Sequence, residues 1–393
     1  MKNQFCKIAG IIIFCLTAPL AQANEIMDAW GGEIIPGLIS EGGIAKKEAT
    51  RAFNRITDLS PQAVGPGSWV YELNLPGDVH LRQAEAFETK GNDKKALNQY
   101  RQAMAYFNAA RFPATYTKAR KDAYQKQLYT YRKVATLSRF PLELVNIPFE
   151  GKTIRTHFHS RGPGPNPVLI WSGGLDGWKT GGMDFKRELM AAGFSVLAID
   201  LPGTGESEWL LDANSERIYS AVIKHLQKRR DVKADSIAVY FGSFSGVYAI
   251  KLALTDPNVT AAVNHSGGIH YFFNPPIDAI PPLTTTMGMR ATATVHAMGL
   301  DGSTIDIIKS NLATFSLKTQ GLLKPTPAQA PLLNIYGTAD RLMPIQDLDV
   351  LMASGIKGTN LVYEGDRHMA WEHVEDHRPK MVAWLIEKMG MAN

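Results

Sequence analysis

The chain has 393 residues, 45% of them hydrophobic and 20% charged, which is enough for one large domain plus a smaller one with a sizeable buried core. Its 42 Lys and Arg against 37 Asp and Glu leave a net charge of +5, spread along the sequence without a like-charged run, so no nucleic-acid partner is expected. The two cysteines, Cys6 and Cys15, both lie in the leader described next, which excludes disulfides, thiolate metal sites and a cysteine nucleophile from the rest of the chain.

Lys2 and Lys7, an apolar run from Ile8 to Leu16 and then Ala21-Gln22-Ala23 have the layout of a secretory signal peptide over residues 1–23. The run is well short of the roughly 20 residues that a spanning helix needs, so export with cleavage after Ala23 is expected, to the periplasm or beyond, with no membrane span. Residues 24–140 read as a helical domain. In HLRQAEAFETKGNDKKALNQYRQAMAYFNAARF one helix ends near Gly91, and the next carries Ala96, Leu97, Tyr100, Ala103 and Phe107 on one face. The outline is that of a single tetratricopeptide-type helix pair, which needs neighbours to bury its faces and therefore reads as a layer packed on another domain.

The texture changes at Pro141. LELVNIPF and KTIRTHFHS alternate about Glu150-Gly151 and predict a hairpin. Strand-like runs then alternate with helices: VLIWS, a helix around 183–192, FSVLAID, a helix around 214–229, SIAVYF, a helix from about Gly246 to Leu254, and VTAAVNHS. That order calls for a mostly parallel sheet with helices on both faces over 141–393, an α/β fold. Residues of about 271–328 break the alternation with Asn274-Pro275-Pro276, Pro281-Pro282 and a methionine-rich stretch, and read as an insertion that forms a lid or pocket wall. PLLNIYG and NLVYEG are the last strands, and a helix over 375–389 closes the chain.

In such sheets the chemistry sits beyond the carboxyl ends of the strands. Those ends carry VLIWSGGLDGWK, DLPGTGES, FGSFSG, GTADRLMP and EGDRH. A serine on a sharp strand-to-helix turn, followed in chain order by an acid and a histidine, is the α/β-hydrolase arrangement, and Asp340 and His368 fall where that order puts them. GSFSG offers two serines. The turn needs small residues two before, two after and three after the nucleophile, because the strand and helix backbones nearly touch there. For Ser243 the later positions are Ser245 and Gly246, and only Phe241 departs; for Ser245 they would be Val247 and Tyr248, which are too bulky. Ser243 is the predicted nucleophile.

SIAVYFGSFSGVYAIKLAL resembles the nucleophile turn of the FrsA-like α/β-hydrolases, a group of esterases, dihydropseudooxynicotine hydrolase and fungal polyketide-shortening hydrolases. Its turn usually reads G-x-S-x-G-G-x-x-A, and Ala249 stands six positions after Ser243 as that pattern has it. AFNRITDL, WVYELN and AEAFETKGNDKKALNQYRQAMAYF resemble the family's N-terminal helical domain, and GGLDGWK, DLPGTGES, GTADRLMP and EGDRH its catalytic core. Phe241 and Ser245 replace the two usual glycines. The resemblance implies an α/β-hydrolase with an N-terminal helical domain over the site.

The expected chemistry is acyl transfer: Ser243 attacks, His368 takes its proton, and Asp340 orients the imidazole. Backbone N–H groups of Phe244 and of the Gly173-Gly174-Leu175 turn, through Gly174 or Leu175, would face the oxyanion. The expected substrate is a small or medium carboxylic ester, with no cofactor and no metal. The alternatives are hydrolysis of a carbon–carbon bond beside a ketone carbonyl, and ligand binding without catalysis if Phe241 displaces Ser243. Oligomeric state is open.

Other features have blander readings. GTGES and GGLDGWKT miss the dinucleotide and Walker A patterns, Trp178 standing at a required glycine, so both are tight turns; Asp200, Gly203 and Gly205 are structural or line the pocket. His373 and His377, four apart, have metal-ligand spacing but sit in an acidic helix start. Asp366 competes with Asp340 as the orienting acid. His265 and His270 follow a strand and are candidates for the pocket wall, a turn or the core. Tyr271, Phe272, Phe273, Met287, Met289 and Met298 suit an apolar pocket or a packed lid.

Overall fold

The structure is a computed structural model that describes residues 30–115, 117–275, 286–324 and 330–391. The segment 1–23 expected to be a signal peptide and parts of the expected insertion lie outside them, as does the side chain of Met287. The described residues fall into two compact units, one of 30–139 with 286–293 and the other of 140–275 with 294–391.

The first unit is helical: α1 Gly32–Gly42, α2 Lys46–Phe53, α3 Trp69–Thr89, α4 Asp93–Arg111 and α5 Lys118–Leu137. Side-chain oxygens of Ser68, Asn92 and Thr117 accept from backbone N–H groups in the first turns of α3, α4 and α5, the capping that exposed first-turn donors require. α3 and α4 are the expected helix pair, and α5 packs against α4, supplying a neighbour that a lone pair lacks. Trp30, Phe53, Trp69 and Phe112 meet edge-on or tilted in the core, where the Trp69 indole donates to the Ala109 carbonyl at 2.7 Å. Residues 286–293, assigned by the sequence pattern to the insertion, belong to this core: Met289 is buried in it, and the Arg290 guanidinium lies 5.7 and 5.4 Å from the Trp30 and Phe112 rings.

The second unit is an eight-stranded sheet: β1 Glu143–Phe149, β2 Lys152–His159, β3 Asn166–Ser172, β4 Ser195–Ile199, β5 Val232–Gly242, β6 Ala261–His265, β7 Leu332–Gly337 and β8 Thr359–Tyr363, in the order β1-β2-β4-β3-β5-β6-β7-β8. β1 and β2 form the hairpin, with Phe149 opposite Lys152 and left-handed φ of 46° and 72° at Glu150 and Gly151, as a two-residue turn needs to match strand twist. β2 meets β4 antiparallel, and the strands from β4 to β8 across the sheet are parallel. Alternate residues bury opposite ways: Val168, Ile170, Val239 and Phe241 join one core with residues of α7 (Glu216–Leu226) and α8 (Gly246–Thr255), while Leu169, Trp171, Ala238 and Tyr240 join another with residues of α6 (Met183–Ala191) and the last helix (Val374–Lys388). A doubly covered parallel sheet requires this near-continuous burial. Among the described residues no helix is long and apolar enough to cross a membrane.

Candidate active site

β5 ends at Gly242, and the chain turns through a 3-10 segment, Ser243–Ser245, directly into α8. Ser243 has φ 57°, a left-handed conformation that costs a non-glycine residue of order 1–3 kcal/mol and persists only where its surroundings hold it. Two contacts do so. The buried Ser245 hydroxyl donates to the Gly242 carbonyl at 2.9 Å and to the Ser172 carbonyl at 3.1 Å, tying the turn to the neighbouring strand. A Cβ at Gly246 would lie 2.6 Å from the Cα of Gly267, so helix and loop backbones touch where only a glycine fits.

This turn brings three predicted residues together. The Ser243 Oγ is 3.0 Å from His368 Nε2, and His368 Nδ1 is 2.7 Å from Asp340 Oδ2. Asp340 sits in the turn after β7, its side chain fully buried, and its Oδ1 accepts from the backbone N–H groups of Leu342 and Met343 at 2.8 and 2.9 Å. A carboxylate held that way fixes the imidazole with Nε2 bare toward the serine, the arrangement that can draw off a hydroxyl proton. Phe241 does not displace Ser243. Its ring is buried in the core, 4.5 Å from Tyr219.

The Gly173–Gly177 turn after β3 closes against this group. A Cβ at Gly174 would stand 2.6 Å from Ser243 Cβ, 2.8 Å from its Oγ and 3.2 Å from the Phe244 backbone nitrogen, so Gly174 and the Phe244 N–H flank the hydroxyl. Leu175 is buried, and its carbonyl accepts from the Trp178 indole at 2.8 Å. Phe244 packs edge-on against Phe272, Phe273 and Phe315 at 5.3–5.7 Å.

Of the suggested pocket residues, Phe272 reaches Phe244, whereas the His270 Nδ1 turns to the Ser316 hydroxyl at 2.8 Å and Tyr271 is half exposed. The Asp347 carboxylate gathers the backbone N–H groups of all three, which makes their loop a capped turn. Asp366 does not compete for His368: its Oδ1 is 2.7 Å from His373 Nδ1. His377, the other half of the metal-spaced pair, is buried with its ring 4.9 Å from that of His265.

Sequence pattern alone passes over a buried ion pair. Lys179, wholly buried in the segment after the Gly174 turn, places its ammonium 2.5 Å from Asp200 and 2.8 Å from Glu206. Asp200 also accepts the N–H groups of Lys179 and Glu206 at 2.8 and 3.0 Å. Burial pushes the Asp200 carboxyl up, but the Lys179 ammonium and the two backbone N–H groups together outweigh it and hold the carboxyl below the ordinary range. GGLDGWK and DLPGTGE thus read as two halves of one clamp; a lysine amid Trp178 and glycines is the only local signal of it. His265, to which the sequence assigns no single role, bridges the Tyr240 hydroxyl at 2.8 Å and the Met369 carbonyl at 2.9 Å.

The family model of FrsA-like esterases matches residues 35–389. The esterase FrsA of Photobacterium profundum is 27% identical over 303 residues, 74% of this chain and 70% of that protein. Two solved structures share the fold with a TM-score of 0.72 and 20% identity each: 2,6-dihydroxy-pseudo-oxynicotine hydrolase, over 90% of this chain and 96% of the other, and wild-type AbyA5, over 92% and 95%. A family match that runs through both units joins with the α/β-hydrolase architecture to one conclusion: the chain belongs to the FrsA-like esterase family and is a hydrolase.

Proposed function

We propose that the protein hydrolyses a small or medium carboxylic ester through Ser243, His368 and Asp340 with a covalent acyl-enzyme. The observation that carries this reading is the unbroken run of 3.0 Å and 2.7 Å contacts from the serine hydroxyl through the imidazole to the carboxylate. The Ser243 oxygen attacks the ester carbonyl carbon while its proton passes to His368 Nε2. Negative charge then builds on the carbonyl oxygen, facing the N–H groups of Phe244 and of the Gly174–Leu175 turn. Collapse expels the alcohol, which takes the proton from His368, and leaves Ser243 acylated. Water loses a proton to the same imidazole, attacks the acyl carbon, and releases the carboxylic acid and the free serine.

A fluorophosphonate probe tests the assignment. Labelling and turnover of p-nitrophenyl esters are expected in the native chain and lost in Ser243→Ala and in His368→Ala; retention of both in either variant refutes it. An acyl-length series of those esters, run beside 1,3-diketones, separates ester from carbon–carbon cleavage, and faster turnover of the diketones would replace the ester reading. We infer also that the chain is exported and cleaved after Ala23, on the pattern Lys2, Lys7, Ile8 to Leu16 and Ala21-Gln22-Ala23. Intact mass of the protein from the periplasm or medium should begin at Asn24; a chain that keeps Met1 in the cytoplasm would overturn this.

A further inference from the structure

Beside the proposed base, the backbone is left-handed twice in succession. Met369 has φ 65° and Ala370 φ 45°, immediately after His368. Neither is glycine, so both are strained and persist only where neighbours enforce them. The enforcing groups come from the ends of β5 and β6. The Met369 carbonyl is 2.9 Å from His265 Nε2, the Met369 N–H donates to the Ser266 hydroxyl at 3.2 Å, and the Met369 side chain fills the space at Gly242, where a Cβ would be 2.9 Å from its Cε. Consecutive residues of β6 and its loop therefore take both polar groups of Met369, and its side chain is seated under the residue that precedes Ser243.

The protonation of His265 follows from its partners. A carbonyl only accepts, so Nε2 carries the proton. Burial, and then the nearby His377, hold the imidazole well below its ordinary value, which leaves it neutral with a bare Nδ1. The Tyr240 hydroxyl must then be the donor at 2.8 Å, and burial pushes its own ionisation up, in keeping with that role. The relay runs one way, from Tyr240 through His265 to the Met369 carbonyl.

We propose that His265, set by Tyr240, is a positioning residue that aims His368 at Ser243 by clamping the left-handed peptide next to it. The proposal rests on the triad reading above. The clamp holds the backbone from which the imidazole springs, and an error of about 1 Å in such a group costs on the order of 100-fold in rate. A neutral clamp has a second merit: it adds no positive charge to oppose the imidazolium that forms on His368 during attack.

The experiment uses the full chain with p-nitrophenyl acetate, with folding followed by circular dichroism and thermal melting. His265→Leu is expected to lose about 100-fold in kcat with KM changed by less than about twofold. His265→Gln, whose amide N–H can still reach the Met369 carbonyl, is expected to recover at least about tenfold of that loss. Tyr240→Phe keeps the ring and should lose about tenfold in kcat. If His265 acts through His368, His265→Leu added to His368→Ala slows the residual rate no further. Native kcat in a folded His265→Leu, equal losses in the Leu and Gln variants, or additive losses in the double variant would each overturn the proposal. Should His265→Leu fail to fold, the Gln and Tyr240→Phe variants decide, native kcat in Tyr240→Phe refuting it. The two readings separate cleanly: native turnover in Ser243→Ala or His368→Ala sinks the triad and this proposal with it, whereas a residual rate alone in those variants beside native kcat in His265→Leu sinks this proposal alone.

Discussion

Gly174→Ala probes the approach of the turn after β3 to the Ser243 side chain. The added methyl would lie 2.6 Å from Ser243 Cβ and 2.8 Å from its Oγ, whereas non-bonded carbons rest at about 3.5–4.0 Å. Either the serine or the turn must retreat by about 1 Å, and a shift of that size in a reacting group costs on the order of 100-fold. Retreat of the turn also withdraws the backbone donor proposed for the developing oxyanion, a loss of about 100- to 1,000-fold in other acyl-transfer sites. The expected result is a fall in kcat/KM for p-nitrophenyl acetate of about 100- to 1,000-fold, or about 3–4 kcal/mol of transition-state stabilisation. Labelling by fluorophosphonate should slow in parallel, because phosphonylation builds charge at the same place. Gly177→Ala in the same turn is the control: its nearest neighbours, Gly173 Cα and Gly174 N, would both lie at 3.7 Å, an ordinary contact. It should stay within about threefold of the native rate. A Gly174→Ala chain with native turnover would refute the placement of that turn beside the serine, and equal losses in both variants would assign the effect to turn folding.

Three further outcomes are expected. Ser245→Ala removes the donor to the Gly242 and Ser172 carbonyls and should cost about 1 kcal/mol in urea unfolding while keeping probe labelling; its loss would exchange the roles of the two serines. Lys179→Met strands the buried Asp200 carboxylate, so a destabilisation of about 3–5 kcal/mol is expected, partly restored by adding Asp200→Asn; a chain of native stability would show that the clamp is dispensable. Burial, then the Lys186 ammonium, drives His159 down to about 3 from an ordinary value of 6.5. Between those values the unfolded chain binds a proton that the folded chain refuses, so stability falls as pH drops through about 6.5. His159→Gln, able to keep its bond to the Pro141 carbonyl, should flatten the decline of the urea midpoint between about pH 7 and 5; an unchanged slope would contradict this.

The parts of the fold and site that are legible in sequence depend on local pattern. Strand and helix alternate at distinguishable periods, Glu150-Gly151 is a turn whatever surrounds it, and Ser243 follows from which neighbours are small. Asp340 and His368 follow from the order of strand ends. What is not legible depends on contacts across long stretches of chain. Lys179 and Asp200 stand in two turns that each look complete alone. Asp347 caps the loop of His270, Tyr271 and Phe272 from more than 70 residues away, and nothing near either segment announces the other. Residues 286–293 join the helical core through Met289 and Arg290, whose partners Trp30 and Phe112 precede the sheet altogether. The use of His265 depends on the conformation of Met369, which composition does not encode.

Phe241 shows which requirement of the nucleophile turn is physical and which is only habitual. The tight places are the backbone of Gly246 on that of Gly267, and the backbone of Gly174 on the Ser243 side chain. Residue 245 lies between the turn and β3, so it must be small, and a serine there adds two hydrogen bonds that glycine cannot make. Residue 241 lies one step back in β5, opposite Ser172 on one neighbour strand and Asn264 on the other. Its side chain is directed into the core beneath α7, where the volume of a phenyl ring is met by the small Ser172 and by Tyr219, whose hydroxyl is 3.1 Å from the Ser172 hydroxyl. A glycine at 241 would leave that volume empty, whereas the close contacts on Ser243 come from Gly174. The 3.0 Å approach of Ser243 to His368 coexists with the phenyl ring, which is taken up in the core against Tyr219.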